Sequence, residues 1–140
     1  MRLVLDTNVV VAGLLWHGEP RRLIELIIDN EAVSLHCSPV LIAELANVLS
    51  YAKFAKRIVQ FDTSIVALVA QYEALVKHVS PAHTPRVVLN DPDDDHVLAC
   101  AVAAQAQLIV SGDKHLLTIK SYQDISIVTA AEAVSILVTG

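Results

Sequence analysis

Seven acids carry the chemistry that this sequence can offer. Asp6 follows the apolar run Leu3-Val4-Leu5, and Asp113 follows Leu108-Ile109-Val110 across Ser111-Gly112. Both stand where a buried strand ends, and open α/β folds bind ligands beyond the carboxyl ends of their strands. An acid at that place either caps the next helix or ligates, and position alone does not separate the two. Glu44 sits in the run Pro39-Val40-Leu41-Ile42-Ala43-Glu44-Leu45. Helical spacing puts it on one face with Leu41 and Val48, so the carboxylate is expected to look toward the apolar side. There it needs a metal or a hydrogen-bonding partner such as Thr7, unless it reaches to the edge of that face. Asp91, Asp93, Asp94 and Asp95 fill one five-residue window. Such a cluster repels itself unless it is solvated or neutralised. Asp94 and Asp95, at the entry to a helix, are best placed to aim inward; Asp91 and Asp93 lie further out.

Oxygen-rich sites suit Mg²⁺ or Mn²⁺. Such ions activate water and stabilise charge on a phosphoryl oxygen during in-line displacement. Two carboxylates acting on a sugar are the nearest competing chemistry, and they would leave most of these acids unused. No Gly-rich phosphate loop, zinc-protease helix or nucleophile elbow is present. The six histidines are not spaced as a ligand cluster, although His96 and His115 each follow an acid closely enough to reach a substrate.

The elements that must position these acids are legible from the apolar pattern. Short strands are predicted at 2–5, 33–37, 86–89, 108–110 and 125–128. Helices are predicted from about 9–16, over 20–29 with Pro20 in the first turn, and over 38–49 with Ser38 as N-cap and Pro39 at N1. Further helices are expected over 51–59, over 63–77 capped by Asp62, over 95–106 and over 114–119. A last helix to about Val138 is opened by the capping box Thr129…Glu132. Strands and helices alternate, and the strands are uniformly apolar. That predicts an α/β fold, a three-layer α/β/α sandwich around a central parallel sheet of four or five strands.

The 140 residues are one domain's worth, with no linker to divide residues 1–140. Hydrophobic residues make up 54 %, which excludes intrinsic disorder as the main state. The low charged fraction of 18 % leaves apolar surface for a subunit contact, and a homodimer is expected. A net charge of −5 argues against a basic face wrapped on duplex nucleic acid. Setting the acidic window aside, however, the remaining acids nearly balance the bases. Cys37 and Cys100 lie in apolar contexts and are expected as buried free thiols. The N-terminus lacks the long apolar run of a signal peptide and no stretch has the length of a membrane span, so a cytoplasmic location is expected. Trp16, Phe54, Phe61 and the three tyrosines are scattered along the chain and predict no stacking surface.

Taken together and in order, four segments resemble the PIN domain family. They are Leu5-Asp6-Thr7-Asn8; Glu44 in a helix opened by Ser38-Pro39; Asp91-Pro92-Asp93-Asp94-Asp95-His96 with the apolar run that follows; and Val110-Ser111-Gly112-Asp113-Lys114-His115. Each is weak alone, and the set spans nearly the whole chain. The subgroup most similar is the bacterial and archaeal toxin components of toxin–antitoxin pairs, relatives of VapC toxins. The resemblance implies a metal-dependent endoribonuclease that holds Mg²⁺ or Mn²⁺ on Asp6, Glu44, Asp94 or Asp95, and Asp113. Thr7, Asn8 and Ser111 become polar supports, with Asp91 a further candidate. It also implies a central strand order resembling 3-2-1-4-5, an RNA substrate and a small antitoxin partner. RNA backbone could meet Arg21, Arg22, Lys53, Lys56, Arg57 and Lys114 if these fold toward the cleft, although ordinary solvated surface is the stronger reading of them. The alternative is a catalytically weak metal-binding adaptor of the same fold, binding nucleic acid or protein.

Overall fold

The computed structural model describes residues 1–82, 84 and 92–139. The predicted strand at 86–89 and the candidate Asp91 lie outside them. The chain opens with β1 (Arg2–Leu5), α1 (Thr7–Leu15), α2 (Glu19–Ile28), β2 (Ser34–Cys37) and α3 (Pro39–Leu49). It continues with α4 (Ala52–Gln60), α5 (Ile65–Leu75), β3 (Val76–His78) and α6 (Pro92–Ala104). β4 (Leu108–Val110), α7 (Lys114–Ile119), β5 (Ser121–Tyr122), β6 (Ile125–Val128) and α8 (Ala130–Thr139) complete it. The result is a three-layer α/β/α sandwich around one sheet in the order β3-β2-β1-β4-β6-β5.

β1 lies between β2 and β4, parallel to both, with Leu5 opposite Val110. Both faces of the central strands are covered, so their side chains are buried without alternation: Leu3, Val4, Leu5, Ile109 and Val110 are each at most 3 % exposed. α6 packs on β1, β2 and β4, while α2 packs between α1 and α8. The α1–α2 contact needs Gly13. A Cβ there would sit 2.6 Å from Ile24 Cδ1 and 3.2 Å from the Pro20 carbonyl oxygen.

The predicted caps form. Ser38 accepts from the Leu41 N–H and starts α3 with Pro39 at N1. Thr129 and Glu132 exchange hydrogen bonds at 3.0 and 3.2 Å and start α8. The paired backbone and hydroxyl donors hold the Glu132 carboxyl below its ordinary pKa.

Four local expectations are corrected. The helix expected over 63–77 is capped by Ser64, whose side chain accepts from the Ala67 N–H; Asp62 is in the left-handed region at φ 51°. That helix also ends at Leu75, because Val76–His78 is taken up by β2 as a parallel edge strand. α6 begins at Pro92 instead of Asp95, with proline in a first turn that needs no N–H from it. The sheet is mixed, not wholly parallel. Ser121–Tyr122 folds back antiparallel on β6 through a two-residue turn in which Gln123 and Asp124 both have positive φ. That is the backbone of a type I′ hairpin, made here without the usual Asn-Gly or Gly-Gly. Among the described residues no helix is long and apolar enough to cross a membrane.

Candidate metal centre

The central sheet brings two strand ends together. The Asp6 N–H donates to the Val110 carbonyl at 2.9 Å, so the residue after β1 is pinned beside the residue before Ser111. Asp6 is 5 % exposed and stands at the N-cap of α1. Its carboxylate does not close the cap, since α1 has no side-chain cap bond. Instead Ser111 Oγ donates to Asp6 Oδ2 at 2.8 Å. The same Ser111 Oγ accepts the Asp113 N–H at 2.9 Å. One wholly buried hydroxyl thus fixes both strand-end acids relative to each other. Asp113 Oδ1 accepts the His115 N–H at 2.7 Å, which sets the side chain at the start of α7.

Asp94 enters from the first turn of α6. Asp6, Asp94 and Asp113 each present a carboxylate oxygen, and these oxygens all lie within 4.8 Å of one another. Asp6 and Asp94 are buried and Asp113 is half-buried. In an octahedron with Mg–O distances of about 2.0–2.1 Å, ligand oxygens stand about 3–4 Å apart. The three oxygens, all within 4.8 Å of one another, are compatible with that span. Three carboxylates at this spacing repel one another, and a hard divalent cation is the natural counter-charge. The donor set is therefore one that could hold a divalent metal ion.

The other acids fall differently. Asp95 is buried, but it is not part of the three-acid group. Adjacent helical residues diverge by about 100°, so the two carboxylates of the pair leave the helix in different directions. Glu44 is half-buried on α3 and also stands outside the group. Its charge is felt at Cys37, the last residue of β2, whose thiol is pushed up to about 12 by burial first, then by Cys100, with Glu73 and Glu44 adding smaller pushes. Asp93 lies in the first turn of α6. Thr7 is buried and Asn8 exposed at the start of α1. A hollow of about 210 Å³ is lined by Asn8, Val9, Ala12, Pro20, Ser111 and Thr129 among others, and so shares Ser111 with the acid cluster.

Of the six candidate cations, Lys53, Lys56 and Arg57 share α4, Arg21 and Arg22 lie on α2, and Lys114 lies on α7. Arg21 pairs with Glu25 one helical turn on. Arg57 Nε donates to the Leu15 carbonyl at the far end of α1 from Asp6. Lys114 is exposed directly after Asp113. His115 is exposed, and His96 Nδ1 lies 3.5 Å from Thr84 Oγ1. Three aromatic residues that are scattered along the sequence, Trp16, Phe54 and Phe61, gather in the fold. Trp16 and Phe54 meet edge to face at 5.9 Å, and Arg57 lies over both Trp16 and Phe61. No local signal could have found this cluster, because α1 and α4 come together only in the folded chain.

Known proteins of similar build agree with this architecture. The crystal structure of VapBC2 from Rickettsia felis, bound to a DNA fragment from their promoter, contains a chain of the same fold. It matches with a TM-score of 0.60 over 91 % of this chain and 97 % of that one, at 17 % sequence identity. No curated protein matches by sequence. The family model of the PIN domain, in contrast, matches residues 2–115, a stretch that contains all three converging acids and the serine that ties two of them together. With that match on this fold, the chain belongs to the PIN domain family.

Proposed function

We propose that this protein is a Mg²⁺- or Mn²⁺-dependent endoribonuclease and the toxin of a toxin–antitoxin pair. The observation that carries the reading is the convergence of Asp6, Asp94 and Asp113 within 4.8 Å at the carboxyl edge of the sheet. These three residues would hold the cation. When bound, it supplies polarisation of a water and stabilisation of charge on the phosphoryl oxygens. Asp6 is held by Ser111, so its carboxylate meets the ion with little reorganisation. Asp113, capping α7, is equally fixed. Glu44 and Asp95, outside the three-acid group, would add negative charge to the surroundings of a bound cation. The hollow beside Asn8 and Thr129 accepts the nucleoside next to the cleaved linkage, with Val9, Ala12 and Pro20 as its apolar wall. Thr7, Asn8 and Ser111 are the polar supports. The reading includes a small antitoxin partner, a homodimer and a cytoplasmic location; VapBC2, a pair crystallised on promoter DNA, supports the first by likeness of fold.

The test is Asp6→Asn, which keeps the size of the side chain and removes its charge. Cleavage of single-stranded and structured RNAs in Mg²⁺ or Mn²⁺ should fall by about 10²–10³-fold or more, the scale of losing one electrostatic support of a transition state. EDTA should abolish the wild-type activity, and calorimetry should show weaker Mn²⁺ binding by the variant. Equal cleavage by both proteins, or cleavage that survives EDTA, would remove this site from the reaction. Tight Mn²⁺ binding with no cleavage of any RNA would favour the adaptor. A one-chain sedimentation mass at high concentration would remove the dimer from the reading.

A further inference from the structure

α4 has the sequence Ala-Lys-Phe-Ala-Lys-Arg-Ile-Val-Gln, with three cations and no acid, in a chain whose net charge is −5. Lys53, Arg57 and Phe61 follow at i, i+4 and i+8, and Phe54 adjoins them, so one face carries alternating cations and rings. That face meets Trp16 at the C-cap of α1. The Arg57 guanidinium carbon lies 4.3 Å from the Phe61 ring centroid and 5.5 Å from that of Trp16. Its Nε is fixed on the Leu15 carbonyl at 2.8 Å, which engages one of five donors. Lys53 Nζ stands 5.1 Å over the Phe54 ring. Trp16 and Phe61 are each 39 % exposed, and Lys53 and Lys56 are exposed. A buried core needs none of these cations, and a purely apolar contact would be weakened by them.

Exposed ring faces beside fixed cations match a strand that offers bases to stack and phosphates to neutralise. Duplex keeps its bases stacked on each other, so the strand must be single. We propose that Trp16, Phe54 and Phe61, with Lys53, Lys56 and Arg57, form a second binding site that holds single-stranded RNA away from the acid cluster. Naming RNA rests on the nuclease reading; the site itself uses none of the acids. The nine residues of α1 separate Trp16 from Asp6 by about 14 Å. At the 3.4 Å rise of a stacked strand that is about four nucleotides, and fewer if the strand is extended. The site would therefore favour substrates with an unpaired segment flanking the cleaved linkage.

Trp16 is the single tryptophan of the chain, so its emission reports on this site alone. The experiment titrates single-stranded oligoadenylate into the protein in EDTA, following Trp16 emission and, in parallel, the anisotropy of a labelled oligomer. Quenching of Trp16 is expected. Lys53→Ser with Lys56→Ser, two exposed positions, should weaken binding about tenfold or more. It should also make the log–log salt slope shallower by about 1.4, the share of two phosphate contacts on a single strand. Trp16→Ala should weaken binding about tenfold. Binding that persists in a protein unable to cleave any RNA supports this site and counts only against the nuclease reading. An unquenched Trp16 together with unchanged affinity in the lysine variant would overturn the proposal. So would emission that responds to the protein's own concentration and not to RNA, which would assign the patch to a protein contact.

Discussion

Ser111 is the residue on which the acid cluster turns. Its hydroxyl has one proton and gives it to Asp6 Oδ2, while its oxygen takes the Asp113 N–H. It is wholly buried, so water cannot replace either bond without entering the core. Ser111→Ala removes both interactions at once. The Asp113 N–H then loses its acceptor and Asp6 Oδ2 loses this donor, which should destabilise the fold by about 1–3 kcal/mol. Divalent-ion affinity should fall by about 10–100-fold, the usual scale for losing a partner that orients a ligand. Thermal melts in EDTA and Mn²⁺ calorimetry measure the two effects separately. An alanine variant with wild-type Mn²⁺ affinity would show that Asp6 and Asp113 hold their places without this serine.

Among the elements, α1 has the most demanding position. Its N-terminus carries Asp6, Thr7 and Asn8 to the site, and its other end supports Trp16 and the Arg57 contact. Between them, Gly13 lets α2 approach closely. In an exposed helix, replacing glycine with a larger residue removes a penalty of up to about 1 kcal/mol. Here the added Cβ would press on Ile24, itself buried, and crowd the Pro20 carbonyl. Overpacking of this kind costs about 1–3 kcal/mol, and a branched side chain falls toward the upper end. Gly13→Val should therefore lower stability by about 2 kcal/mol, against the direction that helix propensity alone predicts. Urea denaturation would read the shift of midpoint. An unchanged or raised midpoint would mean that α2 moves freely on α1.

At the scale of the whole molecule, the groups buried far from solvent set how the fold responds to its medium. Cys100 and Cys37 are free and buried, and burial pushes both thiols up to about 12. Both stay protonated near neutral pH and take no part in ionic chemistry there. His36 is a buried titratable group away from the acid cluster. It lies on β2, opposite Lys77 of β3 and two residues beyond Ser34, the partner of Arg2 of β1. Burial first, then Lys77, then Arg2 lower its pKa from 6.5, and Ser34 Oγ stands 2.9 Å from Nε2. The unfolded chain thus takes up a proton at higher pH than the folded one. Folding stability is fully present above about pH 6.5, and it falls as the pH drops below that value until the folded-state pKa is passed. The slope is at most about 1.4 kcal/mol per pH unit for one such group. Denaturation of the wild type and of His36→Gln between pH 7.5 and 5, in EDTA, should show the steeper loss in the wild type. Parallel pH profiles would mean that His36 takes up its proton equally in both states.

The local pattern of the chain was enough to place most elements and the strand-end acids. Leu3-Val4-Leu5 and Leu108-Ile109-Val110 are apolar without alternation, which reports a strand covered on both faces, and Ser38-Pro39 and Thr129…Glu132 are caps whose chemistry is complete within four residues. Long-range partners decided the rest. β3 exists because β2 offers Val76–His78 a parallel edge, and nothing in Leu75-Val76-Lys77-His78 separates that strand from the helix before it. The β5–β6 hairpin turns through Gln123-Asp124, residues that do not announce a left-handed turn. Asp94 and Asp95 are equal in sequence, and only the docking of α6 against β1, β2 and β4 turns the first of them toward Asp6 and Asp113. Trp16 and Phe54 are separated by most of two helices and a strand, and their meeting is likewise a product of packing. Short-range chemistry is written in neighbouring residues, whereas convergence of side chains depends on rigid elements whose relative placement no local run of sequence encodes.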